Sequence, residues 1–132
     1  MTVDLWLVAY ACVLTWVMIF SVAIFRARAW TPAGMKIAFG NRHDVPTTQP
    51  PWIERAERAA KNMAENLPLF IGLVAVAHLG GKHSERVDLG AHLFFWARVV
   101  YWPIYLAGIP VVRTLIWYVS IAGLAIIFTA LL

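Results

Sequence analysis

Charge and cysteine are both scarce in this chain, and each scarcity excludes a class of protein. Charged residues make up 14% of its 132 residues, against about 25% in soluble domains, which argues against a cytosolic enzyme or a disordered tail. Cys12 is the single cysteine, which excludes an internal disulfide and a multi-thiolate metal cluster. The sequence is instead 61% hydrophobic and 14% aromatic. This composition, in a chain long enough for one domain, predicts a protein of the lipid bilayer.

Long apolar runs predict four membrane-spanning helices. A span needs roughly 20 mostly apolar residues, and such runs cover about residues 5–25, 63–79, 89–106 and 111–132. The first run lacks the basic start of a cleavable signal peptide, so we expect it to stay in the membrane. Short connections favour antiparallel neighbours. The sequence therefore predicts an all-α integral membrane protein, a single four-helix up-down bundle over residues 1–132.

The longest connection, from Thr31 to Pro51, is rich in proline and glycine and predicts irregular structure. Pro50 and Pro51 stand before Glu54 and Glu57, which marks the start of a helix with acidic residues in its first turns. We therefore expect the second helix to begin several turns before it enters lipid.

Lysine and arginine are concentrated on one side of the predicted bundle. Two of them, Lys82 and Arg86, lie on the opposite side. Eight lie in or near the long connection or at the start of the fourth span: Arg26, Arg28, Lys36, Arg42, Arg55, Arg58, Lys61 and Arg113. The positive-inside rule places the long connection in the cytoplasm and both termini on the non-cytoplasmic side.

Two stripes of polar residues lie on the second and third predicted helices, the first running from the membrane interface into the span. The first, at spacing i, i+4, i+7, consists of Arg58, Asn62 and Glu65. The second, at spacing i, i+3, i+7, consists of Arg98, Tyr101 and Tyr105. Each spacing places its residues on one helix face. An ionisable residue at the centre of a span costs about 2.5–3.5 kcal/mol, so these residues need an explanation.

Two interpretations of the stripes stay open. Glu65 is expected to lie about six residues nearer the cytoplasm than Arg98, roughly 9 Å by the helical rise. A long arginine side chain can span much of that distance, and an ion pair between the two would tie the bundle together. Together with Arg113 at the start of the fourth span, the stripes would instead form a pocket of basic, phenolic and amide groups. Such a pocket suits a small anion bearing carboxylates, because guanidinium groups bind carboxylates through two hydrogen bonds. A mouth facing lipid would admit an apolar second substrate.

Three segments carry a resemblance to a known family. Residues 57–68, ERAAKNMAENLP, resemble the second-helix signature of the MAPEG proteins, the membrane-associated proteins in eicosanoid and glutathione metabolism. Residues 97–101, ARVVY, together with Tyr105 resemble the third-helix signature. Residues 40–44, GNRHD, are similar to the loop of bacterial members.

The resemblance implies a homotrimer in the bacterial inner membrane, with glutathione as thiol co-substrate between neighbouring subunits. It implies the glutathione-binding residues Arg58, Asn62, Glu65, Arg98 and Tyr101. It also implies that Arg113 stabilises the glutathione thiolate and that Tyr105 lines the catalytic site. A glutathione-dependent transferase or peroxidase, similar to the microsomal glutathione transferases, would then act on lipophilic electrophiles or lipid hydroperoxides.

Two functions of other classes are also compatible with a small helical membrane protein. A non-catalytic lipid-binding or accessory membrane subunit would keep the same fold, and this alternative stays open. A small exporter would be expected to show an inverted repeat, and the sequence has none. His78 and His92 fall near the non-cytoplasmic ends of their helices, where interfacial histidines are the default and haem ligation the exception. We expect no metal and no nucleic-acid partner.

Overall fold

The computed structural model describes all 132 residues, and its secondary structure consists of helices alone. The five helices are α1 (Val3–Ala27), α2 (Pro32–Phe39), α3 (Pro51–Leu79), α4 (Glu85–Ala107) and α5 (Pro110–Leu131). The predicted all-α class is confirmed. The four long helices contain the four predicted apolar runs, except that the last run extends one residue beyond α5.

The helix ends follow local chemistry that the sequence displays. α3 begins at Pro51, as predicted, because proline at the first helical position sacrifices no hydrogen bond. α4 begins after Ser84, whose hydroxyl accepts a hydrogen bond from the backbone N–H of Val87 at 3.4 Å. It ends at Gly108, which has φ of 75°, a left-handed conformation that glycine adopts without strain. α5 then starts at Pro110.

The prediction that the connection from Thr31 to Pro51 is irregular is wrong for its first part, which forms α2. The Thr31 side chain accepts a hydrogen bond from the backbone N–H of Gly34 at 3.0 Å, and Pro32 occupies the first turn. Gly34 lies so close to the end of α1 that a Cβ there would be 1.9 Å from the carbonyl oxygen of Arg28. The glycine that suggests a loop therefore permits close helix packing instead.

The core lies between the four long helices. α4 and α5 approach most closely at Gly90 and Gly123, where a Cβ on either residue would lie 2.6 Å from the other's carbonyl oxygen. Small residues of this kind allow the backbones of membrane helices to approach closely. Phe70 of α3 stacks on Phe94 of α4 with ring centroids 4.3 Å apart, and Met18 of α1 is buried in the same cluster. These contacts hold α3, α4 and α5 at fixed relative positions.

The exterior of the bundle is largely apolar. Only 28 of the 132 residues are buried. Large apolar side chains are exposed on the outside, such as Trp16 at 63% and Leu115 at 60%. Three helices, α1, α3 and α5, are long and apolar enough to cross a membrane. α4 is not one of them: the predicted span within it, residues 89–106, contains Arg98 and His92 and is less apolar than the other three. Three of the predicted spans thus have support, and the fourth stays a prediction.

Candidate functional site

One polar cavity opens where α3, the second half of α4 and the start of α5 meet. Its volume is about 200 Å³. The residues that line it are Asn62, Tyr101, Tyr105, Arg113, Thr114 and Trp117. Four of these six residues were predicted as site residues from the sequence. The fold brings them together because α4 turns into α5 at Gly108, which places the last turns of α4 beside the first turns of α5.

Arg98 lies directly behind this cavity and is the most unusual residue of the site. It is 1% exposed, and its guanidinium lies over the rings of Phe94 and Tyr101, with centroid distances of 5.4 and 5.2 Å. Its Nη1 donates a hydrogen bond to Oδ1 of Asn62 at 2.5 Å. Its Nε and Nη2 are buried and have no partner. A buried cation with two free donors is costly unless an anion or further acceptors complete it.

The ion pair between Glu65 and Arg98, one of the two interpretations left open by the sequence, does not form. Glu65 is exposed, and the acceptor that reaches the guanidinium is the amide oxygen of Asn62. Both ion pairs in the structure lie elsewhere, Arg26 with Glu57 at 2.5 Å and Arg58 with Glu54 at 3.9 Å. The fold directs Asn62, and not Glu65, toward the guanidinium of α4.

Arg113 and the two tyrosines form a continuous row of contacts along one wall of the cavity. The Arg113 guanidinium lies over the Tyr105 ring at 4.7 Å from its centroid. Tyr105 in turn meets Tyr101 edge to face at 5.3 Å. Cation–π contact of this kind is attractive and restricts the orientation of the guanidinium. Tyr105 therefore positions Arg113 at the cavity, while Tyr101 separates Arg113 from Arg98.

Arg58 and Glu65 do not line this cavity, although they were predicted to share its face of α3. The Arg58 side chain is 68% exposed and Glu65 is also exposed. Arg58 instead borders a second polar cavity, of about 300 Å³, beside Arg26 and Glu57. Of the seven site residues predicted from the sequence, Arg58 and Glu65 thus face outward on the single chain. The other five line the cavity or lie directly behind it.

Three residues contribute to the site without having been predicted for it. Thr114 and Trp117 line the cavity. Trp117 follows Arg113 by one helical turn, so the i, i+4 spacing was a signal that it shares the same face. Arg55 donates from Nε to the carbonyl oxygen of Leu106 at 3.1 Å. That bond fixes the end of α4, and no spacing within either helix could have indicated it.

The histidines and the acidic residues offer no metal centre. No group of three or more His, Cys, Asp or Glu side chains has a geometry that could hold a metal ion. His78 contacts His83 edge to face at 5.0 Å, and His92 is exposed. These histidines are therefore not part of the candidate site.

Helices of membrane-spanning length, with a polar cavity at one end of the bundle, define an integral membrane protein. The family model of the MAPEG family matches residues 3–132, essentially the whole chain, and the protein belongs to this family. It is accordingly a membrane protein of the family of eicosanoid and glutathione metabolism. Neither a curated protein nor a solved structure shows significant similarity to the chain.

Proposed function

We propose that this protein is a glutathione-dependent membrane transferase or peroxidase that acts on lipophilic electrophiles or lipid hydroperoxides. The observation that carries the proposal is the incomplete coordination of Arg98. A buried guanidinium with two unpaired nitrogens lies behind a cavity that also presents Asn62 and Arg113. A carboxylate of glutathione would supply the missing acceptors, and a guanidinium binds a carboxylate through two parallel hydrogen bonds.

Arg113 is suited to stabilise the glutathione thiolate, which is the nucleophile. It stands at the first turn of α5, half-buried, and the Tyr105 ring holds its guanidinium at the cavity. In conjugation, a new sulfur–carbon bond forms and the leaving group departs with its electron pair. In peroxide reduction, the thiolate attacks the O–O bond, the alcohol leaves after protonation, and a second glutathione converts the sulfenic acid to the disulfide and water.

The proposed site includes residues from more than one subunit of a homotrimer. A cavity of about 200 Å³ is small beside ligand sites of about 300–1,000 Å³, so one chain offers only part of a glutathione site. Arg58 and Glu65, which the resemblance assigns to glutathione, face outward on the single chain. A neighbouring subunit packed against α3 would enclose them and enlarge the site.

The proposed membrane arrangement follows the charge distribution. α1, α3, α4 and α5 would all span the bilayer, with α2 and the rest of the long connection on the cytoplasmic side of the inner membrane. Eight of the eleven Lys and Arg residues then lie on the cytoplasmic side, as the positive-inside rule requires. The proposed glutathione cavity opens toward the same side, where the start of α5 lies.

Titration calorimetry of glutathione with the detergent-purified protein tests this function. We expect Arg98→Lys to weaken binding at least about tenfold, because lysine cannot reproduce the guanidinium fork. Arg113→Ala should keep most of the binding but lose the ultraviolet absorbance of the bound thiolate. Arg86→Ala, an exposed arginine at the opposite end of α4, is the matched control and should change neither. Absence of binding to folded wild-type protein would refute the proposal and favour a lipid-binding or accessory subunit.

A further inference from the structure

α2 separates two cavities, one lined mainly by apolar residues and the other mainly by polar and charged residues. Met35, Ala38 and Phe39 follow i, i+3, i+4 spacing and therefore share one face of the helix, which borders an apolar groove. Lys36 and Ile37 lie on the other face and border a polar cavity. Such a division is typical of helices that lie at a membrane surface with their apolar side toward the acyl chains.

The apolar groove lies between α2 and the last turns of α1. Its volume is about 280 Å³, and seven of its eight lining residues are apolar, among them Phe20 and Ile24 of α1. Phe39 at its edge is 88% exposed. α1 is one of the helices able to cross the membrane, so the groove lies at the boundary where that span ends. An acyl chain of the adjoining leaflet can enter it without leaving the bilayer.

The polar cavity on the other face of α2 is larger and basic. Its volume is about 560 Å³, and it is bordered by Lys36, Arg42 and His43, with Asp44 as its one carboxylate. Two cations against one carboxylate favour an anionic ligand. Arg42 borders both the polar cavity and the apolar groove. It is the only charged residue of the groove, and it marks the point where the two cavities meet.

We propose that this pair of cavities binds an anionic phospholipid of the adjoining leaflet. One acyl chain would lie in the groove between α1 and α2, and the headgroup phosphate would lie at Arg42 and Lys36. Guanidinium groups bind phosphate oxygens through two hydrogen bonds, and basic residues at a membrane surface attract anionic lipids. The site shares no residue with the proposed glutathione cavity and does not depend on glutathione chemistry.

The packing of α2 against the end of α1 fixes the walls of the groove. The Thr31 side chain caps α2, and the close approach of Gly34 to Arg28 fixes the helix against α1. Arg42 has φ of 61°, a left-handed conformation that asparagine and glycine tolerate best among the residues. A variant that removes its charge should therefore be Arg42→Asn, which keeps the backbone conformation accessible.

Native mass spectrometry of the delipidated, detergent-purified full chain tests the site. Phosphatidylglycerol and phosphatidylcholine with identical acyl chains are titrated separately, and inorganic phosphate is added as a competitor. The variants are Arg42→Asn, which removes the headgroup contact, and Ala38→Trp, which fills the groove. Lys82→Gln is the matched control, because Lys82 is an exposed cation in the turn at the opposite end of the bundle.

The expected result is a preference of wild-type protein for phosphatidylglycerol over phosphatidylcholine of about fivefold or more, since one basic residue near an anionic lipid is worth about that factor. Arg42→Asn should reduce the preference about fivefold, Lys36 retaining the remainder. Ala38→Trp should weaken binding of both lipids, and Lys82→Gln should leave both unchanged. Equal binding of the two lipids by wild type would overturn the proposal, as would equal losses in Arg42→Asn and Lys82→Gln.

Two further outcomes are decisive against a lipid site. Displacement of phosphatidylglycerol by inorganic phosphate alone would show a site for free anions, with no role for the acyl chain. Unchanged lipid binding in Ala38→Trp would show that the groove is not occupied. Circular dichroism and the thermal midpoint of each variant establish that it is folded, so that a loss of lipid reflects the site.

Discussion

Replacement of Asn62 separates the contribution of this residue to stability from its contribution to ligand binding. Its amide oxygen is the only acceptor that reaches the buried Arg98 guanidinium, at 2.5 Å. Asn62→Leu removes that acceptor while keeping the branching and the number of heavy atoms of the side chain. A hydrogen bond to a charged group is worth about 1.5–3 kcal/mol, and the guanidinium would be left buried without any partner. We therefore expect a loss of about 2–3 kcal/mol in the free energy of unfolding.

Asn62→Asp should have the opposite sign. It places a carboxylate at the same position, within hydrogen-bond distance of a cation that has no anionic partner. Because Asn62 is half-buried and lines the cavity, the new carboxylate keeps part of its hydration. Charge-assisted bonding should then exceed the desolvation cost by about 1 kcal/mol. For a chain of this size, 1 kcal/mol corresponds to roughly 3–4 °C in the thermal midpoint.

Glutathione binding should fall in both variants, although their stabilities diverge. In Asn62→Asp the engineered carboxylate, bonded to Nη1, neutralises the Arg98 cation and repels the carboxylate of the ligand from Nε and Nη2. We expect a decrease in affinity of at least about tenfold, equivalent to about 1.4 kcal/mol. Thermal unfolding in detergent, followed by circular dichroism, and titration calorimetry measure the two effects. Equal destabilisation by Asp and Leu, or wild-type affinity in Asn62→Asp, would refute this account of Arg98.

Three further substitutions test the packing that positions the site. Gly123→Ala should lower stability by about 1–3 kcal/mol, because its Cβ would lie 2.6 Å from a backbone oxygen of α4; Gly72→Ala, which meets nothing within 4 Å, is the control for thermal unfolding and should not destabilise. Arg55→Ala should cost about 1–2 kcal/mol by removing the hydrogen bond that fixes the end of α4, and Arg55→Lys should recover only part of it in the same assay. Gly34→Ala should displace α2, since its Cβ would lie 1.9 Å from a carbonyl oxygen at the end of α1; faster limited proteolysis between residues 31 and 50 is the readout, and an unchanged cleavage rate would contradict the close packing.

Apolar runs and helix-start signals were enough to predict most of the fold. The apolar run from 63 to 79 belongs to α3, which begins at Pro51 directly after Pro50. The two prolines therefore predicted the early start of the helix. α2 was missed because it is short and its glycine suggests a turn when read along the chain. Position 34 requires glycine because a carbonyl oxygen at the end of α1 lies too close to leave room for a Cβ. This is a tertiary contact, which the hydrophobic periodicity of the sequence does not reveal.

The sequence indicated the residue types of the candidate site but not the orientation of the helices that carry them. Spacing placed Arg98, Tyr101 and Tyr105 on one face of α4, and the structure brings this face to a cavity shared with Asn62. The rotation of α3 about its own axis decides whether Asn62 or Glu65 meets Arg98. That rotation depends on packing between helices, including the contact of the Phe70 ring with α4. The spacing of polar residues along α3 does not determine which of them faces α4.

The burial of Arg98 in α4 has a consequence for how the chain enters the bilayer during synthesis. In the proposed four-span arrangement, α4 carries an arginine that opposes insertion by about 2.5–3.5 kcal/mol near the centre of a helix, and it is the one long helix that falls short of the apolarity of a span. α5 is strongly apolar and meets α4 at Gly90 and Gly123. We therefore expect α4 to integrate poorly when it is the last segment translated, and to integrate as a hairpin once α5 has emerged from the ribosome.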